Sequence, residues 1–101
     1  MARYKSILQN NTEECFFCKS TRWLEWHHVF SASNKKHSEK YGMMIRVCHW
    51  CHNEPPLGIH HNKGARRRLQ RLAQTRFENV FKDLNFIEIF GRNYKGESYE
   101  D

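Results

Sequence analysis

Four cysteines stand in two identical pairs, Cys15-Phe-Phe-Cys18 and Cys48-His-Trp-Cys51, with 29 residues between them. Two residues between cysteines put both sulfurs on one tight turn, and two such turns complete a tetrahedral set around one Zn²⁺. Disulfides are the alternative chemistry. A two-residue gap suits disulfide geometry poorly, however, and the N-terminus lacks the apolar stretch of a secreted precursor. A redox Cys-x-x-Cys expects one pair opening a helix in a βαβ unit, not two pairs. Four sulfur ligands close a coordination shell, so the expected Zn²⁺ is structural: it holds the fold and offers no open position for chemistry.

The chain also carries seven histidines. His27 and His28 adjoin, His52 directly follows the last cysteine, and His60 and His61 follow a Pro-Pro-Leu-Gly turn. A cysteine site draws the ends of the intervening segment together, so His52 is expected beside the segment that carries His27 and His28. Five histidines in three clusters, two of them tied by one zinc site, point to a second, functional metal site. Imidazole, with a pKa of about 6.5, can also take a proton at neutral pH. Glu25 and Glu54 are the nearby acids, either orienting a histidine ring or simply solvated.

These side chains need elements to position them. Residues 22–30 are rich in aromatics and read as a strand, and Met43–Val47 as its partner. The polar stretch 31–40 reads as loop or a short helical turn, so the whole is a β-hairpin with a long, irregular tip. Adjacent strand residues face opposite ways. For His27 and His28 to share a site the strand must end or bulge there, and Ser31-Ala-Ser-Asn34 favours an ending. Pro55, Pro56 and Gly58 preclude an unbroken helix after Cys51. From about Gly64, Leu69, Leu72, Ala73, Phe77, Val80, Phe81 and Leu84 recur at helical steps as one apolar stripe. A shorter helix follows over Phe86, Ile87, Ile89 and Phe90, capped by Asn85 or Asp83 and ended by Gly91. The expected fold class is α+β in one domain spanning 1–101, with its core over about 13–95 and an acidic tail at 96–101.

A chain of 101 residues builds only a thin core, and such folds often need a staple. Lys and Arg number 17 against 11 Asp and Glu, a net charge of +6. Three of the acids fall in the last five residues, which leaves the body at +9. That excess favours an anionic partner, nucleic acid foremost. Lys63, Arg66, Arg67, Arg68, Arg71 and Arg76 form an acid-free run, a candidate phosphate-contacting face. Arg66 to Arg68 sit near a helix N-terminus, where cations oppose the dipole. Trp23, Trp26, Phe16, Phe17 and Trp50 could stack on bases, but so small a fold is expected to spend them on packing. No apolar run approaches the roughly 18 residues of a membrane span, so no membrane association is expected.

Taken together, Cys15-x2-Cys18, Glu25-Trp-His-His-Val-Phe30, Cys48-x2-Cys-His-Asn53 and Gly58-Ile-His-His-Asn-Lys63 resemble the HNH endonucleases, the ββα-metal or His-Me finger nucleases, especially small phage and prophage members. Phe90-Gly-Arg-Asn-Tyr94 is similar to the tails of such phage proteins. The resemblance covers roughly residues 13–95. It implies a ββα-metal finger, hairpin plus helix, stapled by a four-cysteine zinc site and followed by a C-terminal helical extension. The implied activity is metal-dependent hydrolysis of DNA phosphodiester bonds. Carried over by position, His27 is a metal ligand, His28 the general base, His52 the second ligand and His60 the third, with His61 the other candidate. The implied cofactors are structural Zn²⁺ and a catalytic Mg²⁺, Mn²⁺ or Zn²⁺. The implied partner is DNA, with RNA not excluded. A homodimer or a phage protein partner, and the cytoplasm of a bacterial or phage-infected cell, complete the expectation. The alternatives are a non-catalytic zinc-finger nucleic-acid-binding module and a nuclease component of a phage packaging or recombination complex. In place of the family's middle Asn stands Lys40-Tyr41-Gly42-Met43, which leaves Asn34 or His37 to hold the loop beside His28.

Overall fold

β-Branched and aromatic residues in the first half of the chain pair into a hairpin. In the computed structural model, which describes residues 4–96, Leu24–His28 forms β1 and Met44–Cys48 forms β2. They run antiparallel, with Leu24 opposite Cys48, Trp26 opposite Arg46 and His28 opposite Met44. β1 is shorter than 22–30 because Trp23 turns aside at φ +58° and the strand stops at His28. The expected ending is therefore present. β2 has a second edge, whose backbone groups need partners. The N-terminal segment supplies them: Ser6 Oγ donates to Met44 O at 2.5 Å, Gln9 Oε1 accepts from Arg46 N at 2.7 Å, and Ile7 N donates to Gly42 O at 3.0 Å.

The hairpin tip is more regular than its polar sequence implied. A 3-10 turn over Ala32–Asn34 leads into a seven-residue helix, α1 (Lys35–Tyr41). Gly42 closes it at φ +74°, where an added Cβ would meet Ile7 at 3.2 Å. After β2 a single turn, α2 (His49–His52), carries Cys51 and His52. The chain then bends through Pro55 and Pro56 to a 3-10 turn, Ile59–His61.

α3 (Lys63–Val80) is the long helix anticipated from about Gly64, with Asn62 Oδ1 accepting from Ala65 N at 3.0 Å as its cap. α4 (Phe86–Phe90) starts at Asn85, whose side chain accepts from Glu88 N, and ends at Gly91. The apolar stripe of α3 is corrected in part. Leu69, Ala73 and Phe77 are buried, but Leu72 and Val80 are exposed, as is Leu84 past the end of α3, and Gln74 is buried. Gln74 Oε1 accepts from Tyr94 N at 2.7 Å, and Nε2 donates to Glu78 and Asn93 at 3.1 Å each. Its polar atoms are satisfied, which makes the burial tolerable.

Phe30, at the end of the hairpin, brings its ring within 4.7–5.3 Å of Phe86, Phe90 and Tyr94. That aromatic cluster and Ile45, Val47, Ile59 and Leu69 are the heart of the core. The result is a small α+β fold on a two-stranded sheet. Among the described residues no helix is long and apolar enough to cross a membrane. The acidic residues Glu97, Glu100 and Asp101 lie outside the described residues.

Candidate metal centres

Cys15 and Cys18 lie on a turn whose N–H groups point at sulfur: Phe17 N and Cys18 N both donate to Cys15 Sγ at 3.4 Å. Phe16 N donates to Arg46 O at 2.8 Å, which fastens this turn to β2 beside Cys48. Cys51 comes from α2, so all four Sγ atoms gather within 4.8 Å of one another, with no disulfide among them. Burial alone would raise the Cys15 thiol, yet the N–H groups of Cys18, Cys48 and Phe17 bring it down to about 7. Burial and the neighbouring sulfurs push Cys51 up instead. Four sulfurs this close could hold a metal ion, around which the thiols would deprotonate together.

The second cluster forms where β1 meets α2 and the turn before α3. The ligand atoms of His27, His52 and His60 lie within 4.8 Å of one another. His61 is exposed and stands outside this group, whereas His60 belongs to it. Glu25 and His27, two apart on β1, share a strand face. Glu25 Oε1 lies 2.7 Å from His52 Nδ1. A carboxylate only accepts, so Nδ1 carries the proton and Nε2 presents its lone pair to the cluster. His60 Nε2 faces it at 2.9 Å. Two ring nitrogens this close require a proton or a cation between them. Burial, with the repulsion that protonated neighbours His52 and His60 would exert, drives His27 down to about 3 and keeps it neutral. Burial and His52 also lower His60. His52, through its hydrogen bond, holds the Glu25 carboxyl below its usual range.

His28 points the other way from β1, as strand geometry demands, and its Nε2 lies 2.7 Å from Glu39 Oε2 on α1. Because the strand ends there, His28 still lines the same cleft as the cluster. This cleft of about 250 Å³ is bounded by Trp26, His27, His28, Ser31, Lys35, His52 and His60. Neither Asn34 nor His37 holds the turn after His28. Asn34 Nδ2 donates to Phe90 O at 3.0 Å, and the His37 ring packs on Tyr41 and Phe90. Ser38, fully buried, does so instead: Oγ accepts from Phe30 N at 3.1 Å and donates to Phe30 O at 2.5 Å. Ser38 and Glu39 escaped sequence reasoning because nothing local marks a polar helix residue as facing a turn eight or more residues upstream.

The basic run divides. Arg66 Nη1 donates to Ile59 O at 3.3 Å and to His60 O at 3.0 Å, so it braces the turn that carries His60. Its charge also disfavours protonation of His27 and His60. Lys63, Arg68 and Arg71 are exposed on α3, with Arg67 half-buried. The aromatics depart from the packing expectation: Trp23, Trp50 and Phe17 are exposed, while Phe16 and Trp26 are half-buried. Glu54 sits by His49 at 2.8 Å and takes no part in the three-histidine cluster. No protein family, curated protein or solved structure matches this chain.

Proposed function

We propose that this chain is a metal-dependent endonuclease of the HNH type, a ββα-metal finger that hydrolyses DNA phosphodiester bonds. One observation carries the reading. Three imidazoles, His27, His52 and His60, converge at the cleft that His28 also lines, with a carboxylate behind His52 and another behind His28. The donor set fits a divalent cation, and three neutral nitrogens suit Zn²⁺ or another transition ion better than Mg²⁺. Such an ion, when bound, supplies positive charge beside the scissile phosphate and the leaving 3′ oxygen.

The chain's own residues do the rest. Glu39 accepts from Nε2–H of His28, which leaves Nδ1 as the basic atom that takes the proton of the attacking water. Glu39 then faces the imidazolium that forms. Glu25 holds His52 in the tautomer a ligand needs. Lys63, Arg67, Arg68 and Arg71 would meet backbone phosphates, while Arg66 keeps the His60 turn in place. The products carry 5′-phosphate and 3′-hydroxyl ends. Zn²⁺ at Cys15, Cys18, Cys48 and Cys51 is the structural ion, in a closed all-sulfur shell. The working compartment on this reading is the cytoplasm of a bacterial or phage-infected cell.

Cleavage of supercoiled plasmid by the zinc-loaded chain across a panel of Mg²⁺, Mn²⁺, Zn²⁺ and Ni²⁺ tests the proposal. We expect cleavage with at least one ion, and a loss of roughly 10²-fold or more in His28→Ala, the usual share of a general base. No cleavage with any ion sinks the endonuclease reading. Full activity in His28→Ala sinks the base assignment alone.

A further inference from the structure

Two tryptophans stand out of the core on the far side of Glu25. Trp23 is 68% exposed and Trp50 54%, their rings 6.4 Å apart at 74°. They wall a groove of about 440 Å³ whose other lining residues are Leu24, Glu25 and His49. The backbone at Trp23 is held in a costly conformation. A bulky aromatic rarely adopts φ +58°, and here Trp23 O is pinned by His49 N at 2.9 Å. Apart from the edge contact with Trp50, this strain holds a large apolar ring in water, which points to a ligand.

We infer that this groove is a subsite for one unstacked nucleobase of the substrate strand, so that the preferred substrate carries an unpaired nucleotide beside the scissile phosphate. The inference rests on the endonuclease reading. Continuity with the three-histidine cleft argues for a base. Glu25 lines the groove and reaches His52, which lines the cleft: Oε1 lies 2.7 Å from His52 Nδ1 and Oε2 3.5 Å from His49 Nδ1. A strand held at the histidines therefore passes within one side chain of the tryptophans. The lining matches a heterocycle as well: aromatic faces for its π-system, with polar Glu25 and His49 for its edge. Exposed Arg22, next to Trp23, adds a cation for the neighbouring phosphate. A base inside a duplex is stacked on both faces and cannot enter, which selects gaps, flaps or single strands.

The test compares a labelled duplex containing a short gap with the same duplex fully paired, bound by the zinc-loaded chain without further divalent ion. We expect roughly 10-fold tighter binding of the gapped duplex, with quenched tryptophan emission, in line with stacking of one base. Trp50→Ala and Trp23→Gly should each remove most of that gain. Glycine accepts the positive φ at position 23, so this variant keeps its fold, and melting temperature with zinc content verifies it. Variants that discriminate like the wild type overturn the subsite. So does wild-type self-association that Trp23→Gly abolishes, which would assign the groove to a protein contact. Equal binding of the two duplexes defeats this inference only, whereas failure to bind either duplex defeats the endonuclease reading with it.

Discussion

The two ring nitrogens of His52 face different chemistry, and Glu25 decides which is which. By holding the proton on Nδ1 it aims the Nε2 lone pair at His27 and His60. Strand parity makes Glu25 and His27 neighbours on one face of β1, a fact visible in the sequence as a spacing of two. The cysteine pairs already place His52 beside this segment. Which ring Glu25 orients stays open in the sequence, because the turn of α2 that brings His52 to it is a tertiary feature and not a local preference. Glu25→Ala should therefore weaken divalent-ion binding at the three histidines by roughly 10–100-fold, the usual effect of losing a carboxylate behind a ligating imidazole. Glu25→Gln, which keeps an acceptor but no charge, should lose less. Calorimetric titration of the zinc-loaded chain with Ni²⁺ measures both, and equal affinity across the three proteins would refute the role given to Glu25.

Among the elements, α1 governs how the hairpin tip meets the cleft. Its sequence, Lys-Lys-His-Ser-Glu-Lys-Tyr, shows no aliphatic stripe, so periodicity could not reveal it. Its inward face consists of Ser38 and the rings of His37 and Tyr41, which become interior only because Phe30 and Phe90 lie beneath them. The same tertiary effect buried Gln74 and exposed Leu72. By contrast α3 was legible from its apolar periodicity, and α4 because Asn85 and Gly91 mark its ends locally. Ser38 ties α1 to both backbone groups of Phe30, directly after the strand that carries His28. In Ser38→Ala the Phe30 N–H stays buried without an acceptor, a loss of about 1–3 kcal/mol. A domain of this size melts about 4–8 °C lower for each kcal/mol, which differential scanning calorimetry resolves. On the endonuclease reading, plasmid cleavage below that melting temperature should also slow, because the His28 turn loosens. A variant with unchanged melting temperature would remove Ser38 from this role.

At the scale of the whole molecule, cohesion has two sources at opposite ends of the hairpin. Phe30, Phe77, Phe86, Phe90 and Tyr94 pack ring against ring where α3 and α4 meet the tip. At the other end Phe17 of the 13–20 turn, Trp50 of α2, and Trp23 and Leu57 beside them face solvent, while Cys15 and Cys48 belong to the same buried core as the rings. The sulfurs of Cys15, Cys18, Cys48 and Cys51 gather where the 13–20 turn meets α2, and Phe16 N donates to Arg46 O beside them. With Zn²⁺ there, metal binding is folding free energy for that end of the molecule. The histidine cluster hangs from it, because α2 carries both Cys51 and His52. Removing the ion with a strong chelator should lower the melting temperature by roughly 10 °C or more, given several kcal/mol from a structural zinc site. Amide hydrogen exchange should then speed first in residues 13–20 and 48–61, while amides around Phe77 and Phe86 stay protected longest. Exchange that speeds uniformly along the chain, or a melting temperature indifferent to the chelator, would mean that the aromatic end alone holds the fold and that the cysteines have another task.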